Sequence, residues 1–365
     1  MWILMAKKPS ILFILPYPVG KAPSQRFRVE QFLPLLDANN IPYKQATFMD
    51  DTTWDVLYKG GSAVQKALGI IKGYVKRWKH VLIDVHGYDT VFVHREAAPL
   101  GPPVFEWVIA KMWGKKMIYD FDDAIWIPNT TAENKLVSYF KAFWKVEKIC
   151  RWSSVVTAGN NFLASYAKQS GAKNIVYLPT VVDTQGRYIA KEVPAKKELP
   201  VVGWTGSHST LKYLDELLPV LQDLEKEVDF KFLVIANKNP ELPLKNFEFI
   251  KWNTDTEIED LQKINIGVMP LTADKWSEGK CGFKLIQYMA LGIPAVASPV
   301  GVNKDIVTNA VNGYLCSDTS GWKEKLLLLL KDADLRKKIG DVSVHTIIEN
   351  YSIKSQEEKF LKLVS

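Results

Sequence analysis

WSEGKCGFKLIQYMALGIPAVASPVG, residues 276–301, packs three structural signals into one short segment. A loop carrying Gly279 and Gly282 runs into a stretch where Phe283, Ile286, Met289 and Ala290 recur at helical spacing. Gly292 and Pro294 end that helix, and Pro294–Ser298 follows as a short apolar run of the kind that forms a buried parallel strand. Loop, helix and buried strand in this order are the repeating unit of an α/β sheet. The first amides of such a helix suit an anion. Lys280 and Lys284 flank the same turn and bring positive charge to it. The plain alternative is a glycine-containing loop with a solvated lysine pair.

Upstream, the same alternation repeats. Pro200–Trp204 reads as a strand and Leu211–Glu227 as a helix. Phe230–Ala236, Phe247–Lys251 and Ile264–Met269 read as further strands. Short helices are expected at Ile258–Gln262 and Ile306–Thr308, a longer one at Gly321–Lys331, and a helical tail over Ser343–Val364. Between the first strand and its helix lies a second glycine-rich turn, Gly203-Trp204-Thr205-Gly206-Ser207-His208-Ser209-Thr210. Its hydroxyls and amides at a helix start also suit a phosphate, or simply cap the helix. No GK[ST] and no GxGxxG follows, so neither a Walker loop nor a dinucleotide fingerprint is present.

The first half has the same grammar. Ser10–Leu15, Tyr43–Phe48, Asp89–His94, Lys116–Phe121, Ser154–Ala158 and Ile175–Leu178 are predicted strands. Helices are predicted over Ser24–Leu36, with Ser24 as N-cap, Pro103–Trp113 and Asn161–Ser170. The pattern pauses over Thr180–Pro200, where Lys191, Lys196, Lys197, Pro194 and Pro200 suggest a junction. Two doubly wound halves follow. In such sheets ligands sit at the carboxyl ends of the strands, and two halves facing each other make a cleft.

Composition agrees with two packed cores: 365 residues, 47% of them apolar. No run approaches the ~18 apolar residues of a membrane-spanning helix. The opening MWILMAKKPS lacks a small-residue cleavage site, which argues against a secretory signal. The three cysteines, Cys150, Cys281 and Cys316, have no metal-ligand spacing and suit a reducing cytoplasm. The net charge of +7 is uneven. Residues 1–180 hold 23 Lys/Arg against 14 Asp/Glu and eight of the 12 Trp, whereas residues 181–365 hold 24 against 26. The first half therefore suits an anionic partner, whether membrane surface, nucleic acid or acidic substrate.

The stretch Gly279–Gly292 with Pro294 resembles the retaining glycosyltransferases of group 1, family 4, whose pattern is close to EGFGLPLLEAMACGxPV. Gly282 matches the central glycine, Leu285-Ile286 the apolar pair and Met289-Ala290 the MA pair. Ser298-Pro299-Val300-Gly301 and Asn312-Gly313-Tyr314-Leu315 resemble the VGG…NGLL ending, and Leu178–Asp183 resembles the PNGVD of the domain junction. The resemblance implies a GT-B fold, α/β with two Rossmann-like domains. Its expected divisions are an acceptor domain over residues 1–182, a nucleotide-sugar donor domain over 183–342, and a C-terminal helix over 343–365 crossing back to the first domain. It implies transfer of a sugar from a nucleotide diphosphate sugar to a glycan, lipid-linked or other acceptor. Configuration is retained, no metal or other cofactor is needed, and the leaving phosphate aids acceptor deprotonation. The setting would be cell-envelope polysaccharide synthesis, cytoplasmic and peripheral on the inner face of the membrane.

The chain departs from that pattern in two places. The family carries two glutamates eight positions apart, the second binding the nucleotide ribose. Here Gln287 stands at the second and Gly279 at the first, with Glu278 one residue earlier. An amide at Gln287 still donates and accepts hydrogen bonds. The family's Arg and Lys after the glycine-rich strand end are replaced by Trp204 and by Ser209 or Thr210. Lys280 and Lys284 are expected to take over the diphosphate. The expected donor-binding set is thus Gly206, Ser207, Glu278, Lys280, Gly282, Phe283, Lys284 and Gln287.

In the first half, YDFDDAIWIP (Tyr119–Pro128) gathers Asp120, Asp122 and Asp123 at a strand end. Three carboxylates together are expected to raise one another's pKa, which suits proton transfer or metal binding; a capped polar turn is the alternative. The resemblance makes Asp122, then Asp120, the candidate catalytic residues. Asp120-x-Asp122 also has the form of the metal-binding DxD motif of GT-A glycosyltransferases. A non-catalytic nucleotide-sugar binding protein is the other rival. Arg26, Arg28 and Arg95 are the candidate acceptor-binding residues, with Glu96 as a partner for Arg95.

Much of the basic excess lies in QKALGIIKGYVKRWKHVL, residues 65–82. No acid occurs from Val56 to Ile83, and Leu68, Ile71, Val75, Trp78 and Leu82 recur at helical spacing. This reads as an interfacial membrane helix, or as a helix packing that stripe on its own domain with its lysines in water. No nucleic-acid-binding motif is present.

Overall fold

The computed structural model describes residues 8–58, 60, 62–128, 140–190 and 199–365. The N-terminal MWILM reading and the Lys191–Lys197 part of the junction lie outside them. The chain divides into two compact units, Met1–Pro179 with Glu357–Ser365, and Thr180–Gln356.

Among the described residues the first unit holds a six-stranded parallel sheet. Its strands are β1 (Ile11–Leu15), β2 (Tyr43–Thr47), β3 (Thr90–His94), β4 (Lys116–Phe121), β5 (Val155–Ala158) and β6 (Ile175–Tyr177), in the order β2-β1-β3-β4-β5-β6. Every residue of β1 and nearly all of β3 and β4 is buried, which is why these strands read as unbroken apolar runs. The chain order reverses between β1 and β3, so the crevice at their carboxyl ends is the natural ligand position.

The second unit holds β7 (Val201–Gly206), β8 (Lys231–Ala236), β9 (Phe247–Lys251), β10 (Ile266–Met269), β11 (Ala295–Ala297) and β12 (Gly313–Leu315), ordered β12-β11-β10-β7-β8-β9. This is the 3-2-1-4-5-6 order of a dinucleotide-binding sheet, with its switch between β7 and β10. Trp204, Val234, Val268 and Val296 from four strands pack with Leu217, Leu221, Leu326 and Leu329 from the covering helices. Burying each such side chain favours folding by roughly 1.5–3 kcal/mol.

Several expected elements differ in detail. The predicted helix Ser24–Leu36 is a helix over Pro23–Arg28, a 3-10 turn over Glu30–Phe32 and a second helix over Leu33–Ala38. Pro34 lacks the amide that a continuous helix would use and instead sits in the first turn of a new one. The helix predicted at Ile306–Thr308 lies earlier, at Asn303–Ile306. The tail is two helices, Ala333–Asn350 and Ile353–Val364. They part at Tyr351 and Ser352 because Val182 takes their backbone bonds. The Val182 amide donates to the Tyr351 carbonyl at 3.0 Å, and the Ile353 amide donates to the Val182 carbonyl at 3.1 Å. Phe360, in the last helix, stacks on Phe32 with ring centroids 4.1 Å apart.

Candidate functional sites

Each unit gathers polar groups at its own switch point. In the second unit the two glycine-rich turns meet. β7 ends at Gly206, where an added Cβ would lie 2.4 Å from the Trp204 indole, so the backbone rests directly on that ring. Ser207 is exposed, its Oγ 2.9 Å from Ser209 Oγ, and its carbonyl accepts from the Thr210 amide at 2.9 Å. Across the crevice, Asp274 caps the short helix Lys275–Glu278, and Gly282 opens the helix Phe283–Ala290. Gly282 has φ +67°, and a Cβ there would meet Ile306 Cδ1 at 2.2 Å. Only glycine fits both constraints.

The two lysines tie these turns together. Lys284 Nζ lies 5.4 Å over the Trp204 ring, and Lys280 Nζ lies 5.8 Å from the rings of both Tyr213 and Trp276. Both are cation–π distances. Tyr213 Oη is in turn 3.1 Å from Ser277 Oγ. Two ammonium groups therefore stand beside the end of β7 and the positive end of a helix, an arrangement that attracts a phosphate. Trp204, which stands where the family resemblance called for a cation, carries Lys284 on its face. Gln287 is buried and its Nε2 donates to Tyr188 Oη at 2.8 Å. Glu278 and Phe283 are half-buried at the same turn.

The first unit brings the aspartates together with partners not read from the sequence. Asp120, in β4 opposite His94 of β3, is fully buried. It pairs with the Arg28 guanidinium, accepts from Thr157 Oγ1 at 2.7 Å, and lies 2.8 Å from His94 Nδ1. His94 Nε2 lies 2.8 Å from Ser24 Oγ, and Ser24 Oγ donates to Asp122 Oδ1 at 2.7 Å. Asp122 also accepts from Arg95 Nε at 2.8 Å, and Asp123 from Arg95 at 2.5 Å. The result is a continuous line, Asp120–His94–Ser24–Asp122–Arg95–Asp123, across the ends of β1, β3 and β4.

This geometry changes the expected electrostatics. The pKa values of Asp120 and Asp122 are not raised as expected. Burial alone would push Asp120 up, but Arg28 and His94 outweigh it and hold the group well below the usual carboxylate range. Burial is likewise outweighed at Asp122 by Arg95, His94 and Ser24, and its pKa is lowered. Asp122 keeps 12% of its side chain exposed and Asp120 none, so of these two only Asp122 reaches solvent.

The arginines also move from their expected roles. Arg28 is buried, its guanidinium spent on Asp120 and the Leu178 carbonyl, and so does not face an acceptor. Arg26 is buried over the Phe27 ring at 5.0 Å. Arg95 binds Asp122 and Asp123, while Glu96, its expected partner, pairs with Lys145 at 2.7 Å. Arg95 holds φ +58°, a strained conformation for a residue with a side chain. The Arg95 amide donating to the Asp120 carbonyl at 2.7 Å, and Tyr119 Oη donating to the Arg95 carbonyl at 2.8 Å, keep it there. Ser24 is not the expected N-cap. Pro23 starts the helix one residue earlier, which frees the hydroxyl for His94 and Asp122.

Comparison with known proteins places the family match in the second unit. Residues 199–332 match the family model described as glycosyl transferases group 1. A curated relative, N-acetyl-alpha-D-glucosaminyl L-malate synthase of Bacillus anthracis, is 31% identical over 72 residues, a match spanning 19% of either chain. Among solved structures, HepE of Anabaena in complex with UDP and glucose superposes with a TM-score of 0.67 at 14% identity, covering 97% of this chain and 98% of that one. Sucrose-phosphate synthase of Thermosynechococcus elongatus gives 0.70 at 12% identity, covering 98% of each. The two parallel six-stranded sheets and these likenesses set aside the GT-A alternative: the fold is GT-B, and residues 199–332 are similar to the group 1 glycosyl transferases.

Proposed function

We propose that the protein transfers a sugar from a nucleotide diphosphate sugar to a glycan or lipid-linked acceptor, with retention of configuration and without a metal ion. One observation carries the reading. In the segment matched by the family model, Lys280, Lys284, the end of β7 and the start of helix Phe283–Ala290 converge on one anion-attracting position.

In this reading the diphosphate lies between the Gly206-Ser207 turn and that helix, neutralised by the two lysines. Glu278 and Phe283 border the donor, and Gln287 supports the site from below by fixing Tyr188. The helix dipole and the lysines stabilise the developing charge on the leaving group. Two ammoniums and a helix terminus supply the positive charge that a metal ion would otherwise bring to the diphosphate. Asp120 and Asp122, the carboxylates of the DxD pattern, are already neutralised by Arg28 and Arg95. Asp122 is the catalytic residue of the acceptor side: an ionised carboxylate, partly open to solvent, that accepts a sugar hydroxyl. The leaving phosphate takes the acceptor proton. The enzyme would work in the cytoplasm, peripheral to the membrane, in cell-envelope glycan synthesis.

HepE was solved with UDP, so uridine diphosphate sugars head the list of donors to test. A thermal-shift screen with UDP, GDP, ADP and their sugars tests the reading, because a specific ligand raises apparent stability by mass action. One nucleotide family should shift the melting temperature. A uniform absence of shift would contradict it.

A further inference from the structure

The helix Ala63–Leu82 is mounted with its apolar side outward. Val64, Leu68, Ile71, Val75, Trp78 and Leu82 are between 40 and 68% exposed. At 100° per residue they fall on one stripe, running the ~30 Å length of the helix. The opposite face is the one that docks. Gly73 is buried, and a Cβ there would lie 2.4 Å from the Phe48 ring; at Gly69 it would lie 2.7 Å from Thr53 Cγ2. Between these contacts and the helix end, the buried Arg77 donates to the carbonyls of Leu15 at 2.7 Å, Ala46 at 2.8 Å and Ala97 at 2.7 Å. Arg77 therefore closes the ends of β1 and β2 and fixes the rotation of the helix. That rotation leaves the apolar stripe in water.

An apolar stripe of this length on a monomer marks a binding surface. Trp78 packs edge-on against Phe105, ring centroids 4.8 Å apart, and the neighbouring Val104 and Trp107 are also exposed. Lys72, Lys76 and Lys79 lie along one edge of the stripe, and the helix carries no carboxylate. Lys72 is tied to Asp50 at 2.6 Å; Lys79 is exposed. No helix among the described residues is long and apolar enough to cross a membrane.

We infer that this face lies on an anionic phospholipid bilayer, with the stripe in the acyl boundary and the lysines among the headgroups. Charge selects this occupant over a second copy of the chain. A two-fold interface would press the same basic helix against itself, whereas an anionic surface complements it. The inference extends the peripheral location proposed above by naming the surface responsible, and it stands or falls separately from sugar transfer.

Co-sedimentation with vesicles of phosphatidylcholine, with and without phosphatidylglycerol, tests it. The full chain should partition at least about tenfold more strongly onto the anionic vesicles, and added salt should weaken this. The double variant Leu68→Asp/Val75→Asp should lose the binding while keeping its melting temperature and its nucleotide-induced thermal shift, since both side chains are exposed. Equal binding by the double variant, or no binding by the wild type, would overturn the proposal. So would a wild-type dimer that the double variant converts to monomer. In each case a transfer assay with a soluble acceptor reports on the sugar chemistry independently.

Discussion

Ser24 Oγ donates to Asp122 Oδ1 at 2.7 Å, joining the helix that follows the first strand to the residue after the fourth. The same hydroxyl lies 2.8 Å from His94 Nε2, and His94 Nδ1 lies 2.8 Å from Asp120. With Asp122 ionised, the serine proton points to its carboxylate. Asp122 is thereby held at one oxygen, by Ser24 and Arg95, and its position depends on residues buried beneath it.

Asp122→Asn should remove the acceptor-side carboxylate and lower kcat at least about 100-fold, with donor affinity nearly unchanged. Ser24→Ala should give a smaller loss, about tenfold, because Arg95 still holds Asp122. Steady-state kinetics together with calorimetric titration of the nucleotide separates the two effects.

Replacing both Lys280 and Lys284 with Ala should weaken nucleoside diphosphate binding at least tenfold, about 1.4 kcal/mol. The salt dependence of binding should become shallower, since two charges near the phosphates are gone. Titrations at two salt concentrations check both.

Gly282→Ala should destabilise the second unit. Its φ of +67° strains any residue with a Cβ, and that Cβ would press on Ile306. A loss of roughly 1–3 kcal/mol is expected, read from the urea midpoint. Nucleotide binding should weaken with it, because the residue opens the helix proposed to face the phosphate.

Acid should weaken the first unit through Asp120. Its pKa is lowered below the unfolded value of 3.8 by Arg28 and His94, against the opposing effect of burial. The unfolded chain therefore binds the proton first as pH falls. The contribution is fully present above pH 3.8 and is lost as pH falls through the lower folded value. Asp120→Asn should be less stable at neutral pH and should lose less stability on acidification, as measured by thermal melts from pH 7 downward.

The fold was largely legible because its signals are local. β4 and β9 fall on the residues that their apolar runs predict. Element ends slipped where backbone chemistry intervened, at Pro34 and at the Val182 bridge. The second unit's glycine-rich turns were legible for the same reason, since their glycines and lysines cluster in short segments. Trp204 as a seat for Lys284 was not, because that contact joins β7 to a helix eighty residues later. The first unit's line was hidden more deeply. Ser24 and His94 are 70 residues apart, and Ser24 and Asp122 are 98 apart. Only the parallel register of β1, β3 and β4 brings them together. The helix Ala63–Leu82 left two readings open in the sequence, and its burial pattern removes one of them: the glycine and arginine face packs on the domain, and the apolar stripe does not.

The central claim is catalytic transfer from a nucleotide sugar, and release of nucleoside diphosphate tests it most directly. The measurement uses the full chain, a panel of UDP-, GDP- and ADP-sugars, EDTA throughout, and acceptors ranging from soluble glycans to lipid-linked sugars. The account predicts acceptor-stimulated release from one donor, undiminished by EDTA and nearly abolished in Asp122→Asn. A donor that binds and stabilises the protein, yet is never turned over with any acceptor, would contradict it and leave a binding protein on the same scaffold.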